Sequence, residues 1–261
     1  MQAHPRADLV QQTEPPLPAE TVRLPKRGYA VSRGKALGAA LICWAAFAVV
    51  VAMVLGDGAG WLDEPGLLAA RTGPEREFAG PALLLEIVRD LTALGGVFLR
   101  HLFAIAAVVA LLFLKLRREA VLFAMTVAGG WIANTAVKVL VGRERPQIVP
   151  HLTEAGGDSF PSGHAFNSAV VYIAMALAFA ALSRRHSVRY VLIGAAMVIS
   201  ALVGWSRVLL GVHYPSDVVA GWLGGAGWAF LAAALLYKPA RAAADSETAQ
   251  KLDPTPPSPA Q

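Results

Sequence analysis

Six stretches of the chain are almost wholly apolar, and polar segments separate them. They cover residues 36–56, 97–114, 120–141, 165–182, 190–210 and 218–237, each with at most one Lys, Arg, Asp or Glu. A helix of about 20 residues crosses the roughly 30 Å hydrocarbon core of a bilayer, so each stretch predicts a transmembrane span. The polar segment 57–96 is the longest between two spans. Within it, residues 83–94 place Leu84, Ile87, Val88, Leu91 and Leu94 on one helical face, opposite Glu86, Arg89 and Asp90. That pattern predicts an amphipathic helix lying flat on the outer surface. The expected architecture is an all-α integral membrane protein, a six-helix transmembrane bundle with an interfacial helix in its first outer loop.

Composition excludes other classes. Of 261 residues 56% are hydrophobic and 16% charged, against about 25% charged in a soluble domain. Disordered, collagen-like and ordinary soluble proteins do not fit. The single cysteine, Cys43, lies inside the first span, so neither an intramolecular disulfide nor a cysteine-based metal site is expected. Residues 1–35 and 239–261 are rich in proline and polar residues and predict disordered tails. The core is then 36–238. The first span starts too late and runs too long for a cleaved signal peptide.

Net charge is +5, and its distribution matters more than its size. Six spans put both termini on one side. Fifteen of the 23 Lys and Arg fall on the side of the termini, with 7 of the 18 acidic residues, leaving 8 basic and 11 acidic residues opposite. Basic loops stay in the cytoplasm, so the tails are expected there, in a bacterial-type inner membrane. None of the basic runs is interleaved with stacking aromatics, which argues against nucleic acid as a partner.

Polar residues at span ends are costly, so each is a functional candidate. They form three groups on the outer face: 138–146 (KVLVGRERP), 161–164 (PSGH) and 206–217 (SRVLLGVHYPSD). Lys138, Arg145 and Arg207 supply cations suited to phosphate oxygens. Ser162 and Gly163 open a helix, whose free N–H groups and positive dipole end attract an oxyanion, and Gly163 allows close approach. His213 stands four residues before Asp217, which can fix its tautomer and stabilise its positive charge. His164 stands beside Gly163, placed to protonate a leaving oxygen. These residue types predict two-step phosphoryl transfer: His213 attacks phosphorus, and His164 serves first as general acid and then as base for water. His4, His101, His151 and His186 have no such company and are expected to be tail or interfacial residues.

The three groups read K-x6-RP (Lys138, Arg145, Pro146), PSGH (Pro161, Ser162, Gly163, His164) and SR-x5-H-x3-D (Ser206, Arg207, His213, Asp217). This resembles the tripartite motif of the type 2 phosphatidic acid phosphatase (PAP2) superfamily. The resemblance implies a six-helix core with an extracytoplasmic site and no metal or other cofactor. It also implies the catalytic roles above, with Lys138, Arg145, Ser162, Gly163 and Arg207 holding phosphate. Arg143 and Glu144 lie outside the strict motif and receive no role. The implied substrates are phosphatidate, phosphatidylglycerol phosphate and undecaprenyl diphosphate; no protein partner is identifiable. Vanadate-dependent haloperoxidases share a similar pocket but are soluble. The alternative is an anion or lipid transporter, or a binding protein with a phosphate pocket. No paired inverted halves support transport, and the polar cluster is confined to one face.

Overall fold

The computed structural model describes residues 32–182 and 186–235. The two tails fall outside these apart from residues 32–35, as do Arg184 and Arg185. Eight helices are present among the described residues: α1 (Arg33–Leu55), α2 (Gly60–Leu68), α3 (Ala82–Gly95), α4 (Val97–Phe113), α5 (Arg117–Val141), α6 (Gly163–Ala180), α7 (His186–Leu209) and α8 (Pro215–Leu235). One departure from an all-α chain is a small antiparallel hairpin, β1 (Arg71–Thr72) against β2 (Glu77–Phe78). It joins α2 to α3 within the first outer loop and is too short to give a periodic signal.

Five helices are long and apolar enough to cross a membrane, namely α1, α5, α6, α7 and α8. The remaining stretch, 97–114, forms α4, which does not meet the criterion alone; with α3, from which it bends by 50°, it does. Local chemistry sets the ends. Ser32 caps α1, its Oγ accepting from Lys35 N at 3.4 Å. Gly142 ends α5 in the left-handed region at φ 59°, with its N–H on the Lys138 carbonyl. Pro215 opens α8, where a missing N–H costs nothing.

At the centre is α6, packed on α5, α7 and α8, while α1 packs along α8. Glycines make the α6–α8 contact possible. A Cβ on Gly225 would stand 2.2 Å from the Phe166 carbonyl oxygen, and one on Gly221 2.7 Å from that of Ser162. The G-x-x-x-G pair is thus used for packing inside the chain. Outward-facing apolar side chains such as Ile42, Phe113 and Leu140 form the surface that lipid would cover.

The amphipathic stretch forms a helix, but its packed face is rotated from the expected one. Val88 and Gly95 of α3 are buried and Leu85, Leu91 and Leu94 half-buried, so part of the expected face packs, whereas Leu84 and Ile87 are exposed. The helix packs on α7 and α6. Gly95 decides the rotation, because a Cβ there would lie 2.3 Å from Val203 Cγ1 and 3.1 Å from His164 Cδ2. Three arginines of the 57–96 segment also bond carbonyls at the end of α7 and in the loop after α5. Arg71 donates to Leu209 O at 2.9 Å, Arg76 to Ile148 O, and Arg89 to Leu152 O at 3.4 Å.

Candidate active site

The ends of four helices converge at one end of the bundle. Lys138 lies in the last turn of α5 and Arg207 in that of α7, while Asp217 lies in the first turn of α8. Ser162 caps α6, Oγ accepting from Ala165 N at 3.5 Å, so Gly163 and His164 are its first two residues. The Ser162 N–H donates to Asp217 O at 2.9 Å, which locks the start of α6 onto α8. His213 sits in the short turn between α7 and α8, and Arg145 in the loop after α5. All eight residues expected from sequence are therefore at one end of the bundle.

The imidazole of His213, only 1% exposed, is held on both nitrogens. On one side Nδ1 lies 3.4 Å from Asp217 Oδ2 and 3.3 Å from Ser159 Oγ. On the other, Arg145 donates to Nε2 at 3.1 Å. A guanidinium only donates, so Nε2 accepts and Nδ1 carries the proton toward Asp217. That tautomer leaves the Nε2 lone pair directed at the cations. Burial pushes the His213 pKa down to about 4, against the opposing pull of Asp217. At neutral pH the ring is an uncharged base.

Around it stand cations without carboxylate partners among the described residues. Arg145 bonds the carbonyls of Val212 (2.7 Å), Gly156 (2.8 Å) and Gly157 (3.0 Å). Lys138 Nζ donates to Asp158 O at 2.5 Å. Arg207, 3% exposed, donates to Thr92 Oγ1 at 2.9 Å, and its buried Nε has no partner. One buried and two half-buried cations bonded only to neutral groups, beside a helix N-terminus, make a site that attracts an anion.

A search against family models matches residues 118–241 to the PAP2 superfamily. Phosphatidylglycerophosphatase B of Bacillus subtilis (strain 168) is 34% identical over 145 residues, 53% of this chain and 68% of that protein. The chain belongs to the PAP2 superfamily. Lipid A 1-phosphatase of Rhizobium etli is 35% identical over 127 residues, covering 45% of this chain and half of that protein's length. Among solved structures, the transmembrane PAP2 type phosphatidylglycerolphosphate phosphatase from Bacillus subtilis aligns with a TM-score of 0.69 at 26% identity. The alignment covers 76% of this chain and 96% of that one. Together with the apolar helices, membership makes this a multi-pass membrane protein of a phosphatase family.

Four site residues lie outside the PAP2 motif positions read from sequence. Ser159 donates from Oγ to Asp217 Oδ2, and its N–H bonds Arg143 O at 2.7 Å. Arg143, left without a role above, bonds Asp217 Oδ1 at 2.6 Å and Asp63 Oδ2 at 2.7 Å, over the Tyr214 ring at 4.1 Å. Asp63 is brought in by α2. Thr92, on α3, holds Arg207. Only Arg143 and Ser159 carried a signal, Arg143 standing inside K-x6-RP and Ser159 two residues before PSGH; Asp63 and Thr92 come from the 57–96 loop, where nothing in the sequence marks them. His151 donates to or accepts from no site residue and instead contacts Pro146 O at 2.7 Å, while His101 contacts Val97 O.

Proposed function

We propose that the protein is a metal-independent lipid phosphatase that removes a terminal phosphate from a lipid phosphomonoester or diphosphate. The observation that carries this reading is His213, held neutral and oriented between Asp217 and Arg145 at the edge of the cationic pocket. In the first step Nε2 forms a bond to phosphorus as the bond from phosphorus to the lipid oxygen breaks. His164 gives its proton to that oxygen. In the second step water attacks the phosphohistidine, His164 takes the proton, and the P–N bond breaks to release phosphate. Lys138, Arg145, Arg207 and the N–H groups behind Ser162 and Gly163 hold the phosphoryl oxygens, and their charge stabilises both transition states. Asp217 orients the ring and offsets the imidazolium charge.

The substrate class follows from where the pocket lies. Its polar groups stand at the ends of four apolar helices, which suits a headgroup whose chains remain in lipid. The named activities of the relatives, on phosphatidylglycerol phosphate and on lipid A, support that class. We assign the catalytic domain to 36–238, with six spans counting α3–α4 as the bent second one and α3 near the membrane surface. The termini are assigned to the cytoplasm and the site to the opposite face, on the distribution of Lys and Arg. The test is phosphate release from phosphatidylglycerol phosphate, phosphatidate and undecaprenyl diphosphate in mixed micelles containing EDTA. Wild type should release phosphate from at least one, and His213→Ala and His164→Ala from none; variants as fast as wild type would refute the assignment.

A further inference from the structure

Asp217 has two carboxylate oxygens, and the structure divides them between two tasks. Oδ2 serves the imidazole side, meeting His213 Nδ1, the Tyr214 N–H at 3.0 Å and Ser159 Oγ. Oδ1 faces the other way and takes Arg143 NH1 at 2.6 Å. The guanidinium does not end there. Its NH2 reaches Asp63 Oδ2 at 2.7 Å, and NH1 also donates to Ser216 Oγ at 2.8 Å. Ser216 closes the ring: its hydroxyl donates to Asp63 Oδ2 at 2.7 Å and its backbone N–H to Asp63 Oδ1 at 2.9 Å. Asp63 is 3% exposed on α2, a helix whose other buried side chain, Leu67, packs beside Val218 of α8.

We infer that Asp63 and Arg143 are positioning residues for His213, forming a carboxylate–guanidinium–carboxylate relay through which the first outer loop sets the orientation and field of Asp217. This rests on the reading of His213 as nucleophile. The physical reason is twofold. A carboxylate pinned on one oxygen cannot rotate the other away from the ring. Moreover, Arg143 draws off part of the negative field that His213 feels, and Asp63 draws off part of the positive field of Arg143, so the two act on the ring with opposite signs. The charged and titratable groups facing His213 are Asp217, Arg145, Arg207 and His164, with Lys138 beyond them and Arg143 and Asp63 behind Asp217. Of these, the last two join Asp217 in the relay.

The opposite signs supply the test. Detergent-solubilised full-length protein with isotope-labelled histidine is titrated by NMR, the His213 resonance being assigned by its loss in His213→Gln, and phosphate release is measured alongside. Arg143→Gln should raise the His213 pKa by about one unit, the scale of a neighbouring-charge effect, and Asp63→Asn should lower it. Both should cut kcat by about 10- to 100-fold, as outer-sphere partners do elsewhere, with KM within about threefold. Arg143→Lys should restore the pKa but only part of kcat, because an ammonium lacks the fork that spans two carboxylates. Glu64→Gln, next to Asp63 and exposed, should change neither. If Arg143→Gln fails to fold, Asp63→Asn and Arg143→Lys carry the comparison. Folded variants whose His213 pKa is unmoved, or moves the same way in both, overturn the relay. Opposite shifts in a protein that releases no phosphate from any lipid tested would uphold it and sink the phosphatase reading instead.

Discussion

Arg143 and Arg145 stand two residues apart in one loop, yet the fold gives them contrasting surroundings. Arg143 turns inward to two buried carboxylates. Burial alone would weaken its charge, but Asp217 and Asp63 outweigh that, and its pKa lies above the ordinary arginine value. Arg145 turns to four carbonyls and a neutral imidazole, and there burial prevails and its pKa lies below that value. The difference separates two uses of a cation. One is compensated inside the protein and holds it together; the other keeps its charge available to whatever anion enters.

Substitutions in the two regions should therefore fail differently. The largest effect is expected from His213→Ala, which lies between them: phosphate release should fall by at least about 10⁴-fold, as when a catalytic triad loses its base. Among the cations, Arg207→Gln should cost about 10²- to 10³-fold in kcat, the scale of one lost oxyanion donor. Its thermal midpoint should stay level or rise, because a buried charge without a carboxylate partner is removed. Arg143→Gln should do the reverse in stability, losing about 3–5 kcal/mol because Asp63 and Asp217 are left unpaired. Thermal unfolding in detergent separates the two; equal losses would erase the distinction.

Smaller effects sharpen the same contrast. Inorganic phosphate should stabilise wild type, by about 2.7 kcal/mol at 100 times its dissociation constant, and Arg207→Gln less; equal stabilisation of both would place phosphate elsewhere. The last effect concerns pH. With the folded pKa of His213 lowered to about 4, the unfolded chain binds the proton first as pH falls. The stability that the neutral ring contributes is thus complete above about pH 6.5 and lost progressively toward pH 4. His213→Gln should flatten that part of the stability profile, and kcat/KM of wild type should hold down to about pH 5.

Much of the bundle was legible because a bilayer imposes a length and a composition on each span. The start of α4 at Val97 and the end of α5 at Val141 agree with the apolar blocks, and α6 begins two residues earlier than its block. What the pattern missed is the 50° bend between α3 and α4 and the rotated face of α3. Gly95 selects that face by admitting His164 and Val203, a contact between segments far apart in sequence. The residues expected to hold phosphate and attack it were likewise legible, since short spacings on helix ends fix their relative depth. Arg143 was in plain view but had no assignable role, because its meaning depends on Asp63, 80 positions earlier.

The sequence by itself pointed to a chain that spans a membrane several times and to the cations and histidines proposed to bind and transfer phosphate. Those properties are local, resting on hydropathy, helix length and spacing within short motifs. Tertiary structure alone decided which cations are neutralised and which are left without a carboxylate, and how the 57–96 loop reaches Asp217. Compensation of a charge depends on what the fold places within a few ångströms of it, and for Asp63, Arg143 and Asp217 those partners come from three separate segments.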